Sequence, residues 1–191
     1  MRDPIERFGD RADNYAKFRP AYPGSMLDFL GDVVFPPAVV ADIGSGSGIL
    51  TRRLPDNGYE LYAVEPNVPM RSVAERTLSG RPRLHSVRGT AETTTLPDGA
   101  VDLITCAQAF HWLDRVKSKL EVQLSTFPNQ QVLDRCGFLG RLLSCSYVPN
   151  VGQPGHDEIV DSVRDLFDEY EIDGNVTFAY ETRLYLGRFI R

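Results

Sequence analysis

Asp42-Ile43-Gly44-Ser45-Gly46-Ser47-Gly48 follows directly on the apolar run Val39-Val40-Ala41. The run has the continuous apolar character of a strand buried on both faces in a parallel sheet. Glycine at alternate positions leaves backbone with no Cβ to hold a ligand away. The stretch after Gly48 reads as a short helix over 48–54, stopped by Pro55. A strand, a glycine turn and a helix start together place a ligand cradle at the carboxyl edge of a sheet.

Working outward, apolar periodicity predicts a helix over 25–34, ahead of a first strand at 38–43. A second strand is expected at 60–65, a helix from Pro66-Asn67 to about Leu78, and a third strand at 84–87. Pro97-Asp98-Gly99 closes a polar loop, and a fourth strand follows at 101–107. This alternation predicts an α/β fold: a doubly wound, mostly parallel Rossmann-like sheet with helices on both faces. The later residues read differently. A half-buried strand is expected over 120–127 and a helix over 135–146. An amphipathic helix over 156–170 carries Ile159, Val163, Leu166, Phe167 and Tyr170 on one face. A C-terminal antiparallel strand over 176–189 completes the reading. The acids of 157–169 read as a solvated face.

The chain has 191 residues, 42 % of them hydrophobic and 25 % charged, with a net charge of −5. That is one globular domain with a core of ordinary size. Its parts are an N-terminal lid and helix (1–34), a ligand-binding half (38–114) and C-terminal strands and helices (120–191). The acidic balance argues against nucleic acid as a partner, which needs a basic face. No apolar run is long enough to span a membrane. Cys106, Cys136 and Cys145 show no C-x-x-C spacing. An odd count without pairing motifs fits a cytoplasmic chain and no metal site.

Three features fall at successive strand ends. They are the loop Asp42–Gly48, the carboxylate of Glu65, and Gly89-Thr90-Ala91-Glu92. A carboxylate after the second strand can accept hydrogen bonds from both ribose hydroxyls. Backbone groups and Glu92 after the third strand can meet the edge of an adenine. A hydride-transfer dinucleotide site would need G-x-G-x-x-G/A, and here the last position is Ile49. No Lys or Arg lies between Asp42 and Gly48, which also argues against a triphosphate loop. The spacing fits an adenosine ligand without phosphate.

With those residues in view, the chain resembles the class I methyltransferases that use S-adenosyl-L-methionine, in their small-molecule, type 11-like group. The resemblance is carried by Asp42–Gly48, Val64-Glu65-Pro66-Asn67, Gly89-Thr90-Ala91-Glu92, Leu96-Pro97, Val101-Asp102-Leu103 and Gln108-Ala109-Phe110-His111-Trp112. Tyr15-Ala16-Lys17-Phe18-Arg19-Pro20-Ala21-Tyr22-Pro23 also matches. The resemblance implies that Asp42, Gly44, Ser45, Gly46 and Gly48 hold the methionine end of the cofactor. It places Glu65 and Pro66 at the ribose and Thr90, Ala91 and Glu92 at the adenine, with Gln108 nearby. Tyr15, Arg19 and Tyr22 could form a lid, with Arg19 on a carboxylate of cofactor or substrate; packing by aromatics alone is the alternative. His111 is a candidate general base, or else a residue closing the pocket beside Trp112. Cys106 reads as buried core.

One departure stands out. The family has a helix, a paired-glycine turn and a fifth strand after the fourth strand, whereas only Arg115–Lys119 joins Asp114 to Leu120 here. Either the segment is deleted or residues have been left out of the sequence. A deletion exposes an edge of the fourth strand, or makes 120–127 or 176–189 pair there. An exposed edge favours association, such as a homodimer. The expected activity is methyl transfer to a small-molecule acceptor. The alternative is a cofactor-binding protein that has lost catalysis.

Overall fold

A computed structural model describes residues 11–54, 58–110 and 121–188. The shortened connection after Asp114, His111 and Trp112 lie outside these residues. Four parallel strands form the central sheet: β1 (Ala38–Ile43), β2 (Tyr59–Val64), β3 (Leu84–Val87) and β4 (Leu103–Thr105). Their order is β3-β2-β1-β4. The order reverses between β1 and β4, so that is the topological switch point of a doubly wound sheet, as the alternation predicts.

Alternate side chains of the sheet build two cores. Ala38, Val40, Tyr59 and Leu61 bury against Leu54 and against Leu27 of α2 (Gly24–Val33). On the other face, Ala41, Ile43 and Val64 bury beneath Ala91, Leu96 and Val101 of the segment between β3 and β4. The expected fourth strand shortens to three residues. Before it, Asp102 is engaged with β1: its carboxylate accepts from the Val39 N–H at 2.8 Å and its own N–H donates to the Val39 carbonyl. α3 (Val68–Thr77) links β2 to β3, with Asn67 as its N-cap accepting from the Met70 N–H at 2.9 Å. α1 (Ala12–Phe18) packs on both α3 and α4 (Arg135–Leu143).

The expected helix over 48–54 is instead a set of turns ending in a 3-10 turn, Thr51–Arg53. Gly44, Gly46 and Gly48 all take left-handed φ, at 66°, 57° and 80°. Right-handed winding therefore begins only after Gly48. Leu54 is already extended (φ −66°, ψ 134°), as the residue before a proline prefers. Too little chain remains between these limits for an α-helix.

β5 (Glu121–Leu133) and β6 (Val176–Arg188) pair with each other as an antiparallel ribbon. Neither joins β4, whose outer edge has no strand partner among the described residues. β5 runs past the expected end at Phe127 because Pro128 does not interrupt the ladder. The Gln130 N–H turns to the Asn129 side chain at 2.9 Å, outside the ladder, and Pro128 shares its parity. The inner face of the ribbon buries Leu133, Val176 and Phe178 against α4 and α5 (His156–Tyr170). The buried stripe of α5 is His156, Val160, Val163 and Phe167. Spacings of four, three and four residues keep that stripe narrow, which leaves Leu166 and Tyr170 exposed, contrary to the broader face expected.

Phe138 centres this second core, stacked on Phe178 and edge-on to Phe167, each at 5.6 Å between ring centroids. Phe138→Ala removes the ring and leaves a cavity, at a cost of about 3–5 kcal/mol. Urea unfolding followed by circular dichroism checks this, and a loss under about 1 kcal/mol would contradict the packing described.

Candidate functional site

The loops after β1, β2, β3 and β4 share the carboxyl edge of the sheet. Asp42 lies at the switch point and is only 2 % exposed. Its carboxylate accepts from the Thr51 hydroxyl at 2.6 Å and from the Thr105 hydroxyl at 2.9 Å. Thr105 is the register partner of Asp42 across β1 and β4, so the strand pairing itself supplies that contact. Burial raises the Asp42 pKa from 3.8 to about 6, against the two threonine hydrogen bonds, which lower it. The same charge reaches two neighbours. Burial and then Asp42 push the Tyr22 hydroxyl up, and the same two causes push the Cys106 thiol to about 11. Cys106 is thus held as a neutral thiol.

Gly44 and Ser45 both donate their N–H to the Val64 carbonyl, at 2.9 and 3.2 Å. This folds the glycine loop back over the end of β2. A Cβ on Gly44 would come within 2.5 Å of the Ala109 Cβ, so the loop after β4 closes directly onto it. Gln108 precedes that contact at φ 56° and is exposed. Among the described residues, a Cβ on Gly46 would meet only Met70 Cε, at 3.9 Å, which leaves bare backbone there for a ligand to approach. Gly48 is set close against Leu78 and Ala74 of the α3 region.

Glu65, 7 % exposed, joins the first loop to the second. One carboxylate oxygen accepts from the Gly46 N–H and the other from the Asn67 N–H, each at 2.8 Å. Burial raises its pKa, while those two N–H groups and the Arg71 charge lower it. Half-buried Pro66 bridges Glu65 and Asn67. Beyond β3, Gly89 packs tightly beneath the Thr93 carbonyl and beside Val64. The Thr90 hydroxyl accepts from the Thr93 N–H at 3.2 Å. Ala91 lies on the Val64 core, whereas Glu92 is exposed.

Tyr15 packs on Met70 and Val73 of α3, and so stands over the glycine loop. Arg19 lies over the Tyr15 ring, 4.9 Å from its centroid, but its hydrogen bonds run the other way, to the Ser144 carbonyl and the Cys145 thiol. Tyr22 packs with Met26, Leu30 and Leu50. The structure therefore gathers Asp42, Gly44, Ser45, Gly46, Gly48, Glu65, Pro66, Thr90 and Ala91, with Tyr15 above them. It leaves Glu92 and Gln108 at the exposed margin and turns Arg19 toward α4. Thr51, Thr105 and Met70 were not singled out from sequence. Only the register of β1 against β4 could have found Thr105. Among the described residues no group of His, Cys, Asp or Glu could hold a metal ion.

Residues 41–122 match the family model of the methyltransferase domain. The fold matches a candidate type II methyltransferase from Anaeromyxobacter dehalogenans, with a TM-score of 0.63 and 21 % identity over 88 % of this chain and 97 % of that one. Over residues 41–122 the chain is thus similar to the methyltransferase domain family. The methyltransferase match extends to an uncharacterized methyltransferase of Mycobacterium tuberculosis, 37 % identical over 123 residues, which are 63 % of this chain and 48 % of that one. An uncharacterized methyltransferase of Schizosaccharomyces pombe is 32 % identical, over 63 % of this chain and 47 % of that one. The chain thus spans about half the length of the curated relatives it matches. A SAM-dependent methyltransferase from Thiobacillus denitrificans, solved with S-adenosyl-L-homocysteine, shares the fold at a TM-score of 0.50 and 14 % identity, over 93 % of this chain and 98 % of that one. No helix among the described residues is long and apolar enough to cross a membrane.

The raised pKa of Asp42 has a consequence for stability. Folded Asp42 holds its proton to higher pH than the unfolded chain does. Between about pH 4 and 6 the folded state therefore binds more protons, and stability falls as pH rises through that window. Asp42→Asn removes the buried charge and keeps one acceptor for the threonines. The variant is expected to be more stable than the wild type by on the order of 1–3 kcal/mol above pH 7, an advantage that shrinks toward pH 4. Urea titrations at several pH values check this; a variant less stable at every pH would overturn it.

Proposed function

We propose that this domain binds S-adenosyl-L-methionine and serves methyl transfer to a small organic acceptor. The observation that carries the reading is the Glu65 carboxylate spanning the bare-backbone glycine loop and the start of α3. Each of its oxygens makes one hydrogen bond to backbone. An ionised carboxylate offers about four lone-pair sites, which leaves capacity for the two hydroxyls of a ribose. The loop carries no Lys or Arg, which disfavours a phosphate and suits adenosine alone. Ser45 Oγ is buried in the same loop without a hydrogen-bond partner among the described residues, a polar atom that a bound amino-acid moiety would satisfy.

These residues fit that cofactor. Gly44–Gly48 would hold its methionine end, Glu65 its ribose, and the backbone of Thr90 and Ala91 its adenine edge. When bound, the cofactor supplies a methyl group already activated by a positively charged sulfur. Asp42 adds a buried negative charge beneath the loop, which favours a cationic ligand over a neutral one. Tyr15 and Met70 cover the loop and exclude water. The chain then has mainly to position the acceptor, and proximity and orientation supply about 7–11 kcal/mol of such a barrier. Where the acceptor arrives protonated, His111 is the residue we assign to take the proton. The net charge of −5 favours a small acceptor over nucleic acid.

Calorimetry with S-adenosyl-L-homocysteine and S-adenosyl-L-methionine tests the reading. One-to-one binding is expected, weakened about tenfold or more by Glu65→Gln, which gives up the charge on the hydroxyls. Affinity for S-adenosyl-L-methionine should rise through about pH 6 as Asp42 ionises, and stay flat in Asp42→Asn. Absence of binding to either compound would sink the proposal. Binding without methyl transfer to any of a broad set of metabolites would leave the cofactor-binding alternative.

A further inference from the structure

Two arginines converge on one sulfur beside the site. Arg19, at the C-terminal end of α1, places Nη2 3.5 Å from the Cys145 Sγ and 3.5 Å from the Ser144 carbonyl. Arg141, in the last turn of α4, places Nη1 3.7 Å from the same sulfur. Neither guanidinium pairs with a carboxylate among the described residues. Both Nε–H groups are buried and have no acceptor there. Two like charges with donors this poorly used are an unfavourable pairing unless an anion joins them. A guanidinium offers five N–H donors in a planar fork, matched to a carboxylate. The Tyr147 hydroxyl reaches the same thiol, and its ring is 75 % exposed, so the cluster opens to solvent on that side.

We propose that Arg19 and Arg141 form a subsite for a carboxylate of the methyl acceptor. This rests on the methyltransferase reading above. The Arg19 guanidinium lies over Tyr15, and Tyr15 packs on Met70, whose Cε is the atom nearest the Cβ position of Gly46. One ring and one thioether therefore stand between the arginine pair and the glycine loop. A cofactor carboxylate seated in that loop is separated from the pair by those two side chains. An acceptor anchored at the pair by its acid group can extend past Tyr15 toward the loop. Charge-assisted, bidentate hydrogen bonds would fix its orientation.

Arginine Nε–H resonances of the 15N-labelled chain read this directly, with succinate as probe and succinamide as its uncharged counterpart. Succinate is expected to shift two buried Nε–H signals, assigned through Arg141→Gln and Arg19→Lys, and succinamide to leave them in place. Arg141→Gln should weaken succinate about tenfold or more, while its affinity for S-adenosyl-L-homocysteine stays within about twofold. Arg141→Lys, which keeps the charge but not the fork, should fall between. Signals unmoved by succinate, citrate and phosphate alike would overturn the subsite. Signals moved by S-adenosyl-L-homocysteine but not by adenosine would overturn the acceptor assignment, because the carboxylate would then be the cofactor's. Signals that respond to succinate in a chain that binds no S-adenosyl-L-homocysteine would uphold the anion site and remove the methyltransferase reading instead.

Discussion

The buried carboxylate of Asp42 is the constraint around which the site is arranged. It ties β1 to β4 through Thr105 and to the 3-10 turn through Thr51. A charge so enclosed is expensive unless hydrogen-bonded, and these two hydroxyls are its compensation. Its field extends to Tyr22 and Cys106, which both hold their protons more tightly for it. The loop that begins at Asp42 then turns three times through left-handed glycines, and Glu65 fastens that loop from the next strand. Removing the charge would relax the fold and weaken what the loop is built to attract. That opposition is common where a site holds a strained or desolvated group.

Much of this was legible in the residues. β1 at 38–43, β3 at 84–87 and α5 at 156–170 lie where periodicity and turn residues put them. These segments have strong patterns and clear punctuation. The segment after Gly48 was misread because its helical appearance is local. The left-handed glycines before it and the proline after it leave no room for an α-helix. The alternation that marks 120–127 does not extend past Phe127, and only the parity of the ladder shows that Pro128 costs no bond and lets β5 continue. On α5, apolar residues marked the helix correctly but not its buried width, which the narrow contact with the ribbon decides.

The site divides in the same way. Motif residues on strand ends, Asp42, Glu65 and the glycines, were readable because spacing along one segment fixes them. Thr105 was not, being an ordinary threonine until the sheet register is known, nor was Thr51, whose place depends on the turn that follows Gly48. Arg19 was read as a site residue; it lies over Tyr15 but bonds toward the end of α4. Its second partner, Arg141, comes from a helix more than a hundred positions away, and no local pattern announces such a meeting.

Arg11 extends that long-range closure. Its guanidinium donates to the carbonyls of Leu143, Cys145 and Val148 and to the Asn150 side chain. The first described residue is thus fastened to the turn that follows α4. During synthesis, α1 meets α3 first, and its contacts with α4 wait until that turn has left the ribosome. Contacts so distant in sequence carry a large loop-closure cost and form late. The Arg19 side of the site wall is therefore expected to be among the last parts assembled, against a glycine loop that Tyr15 and α3 already cover.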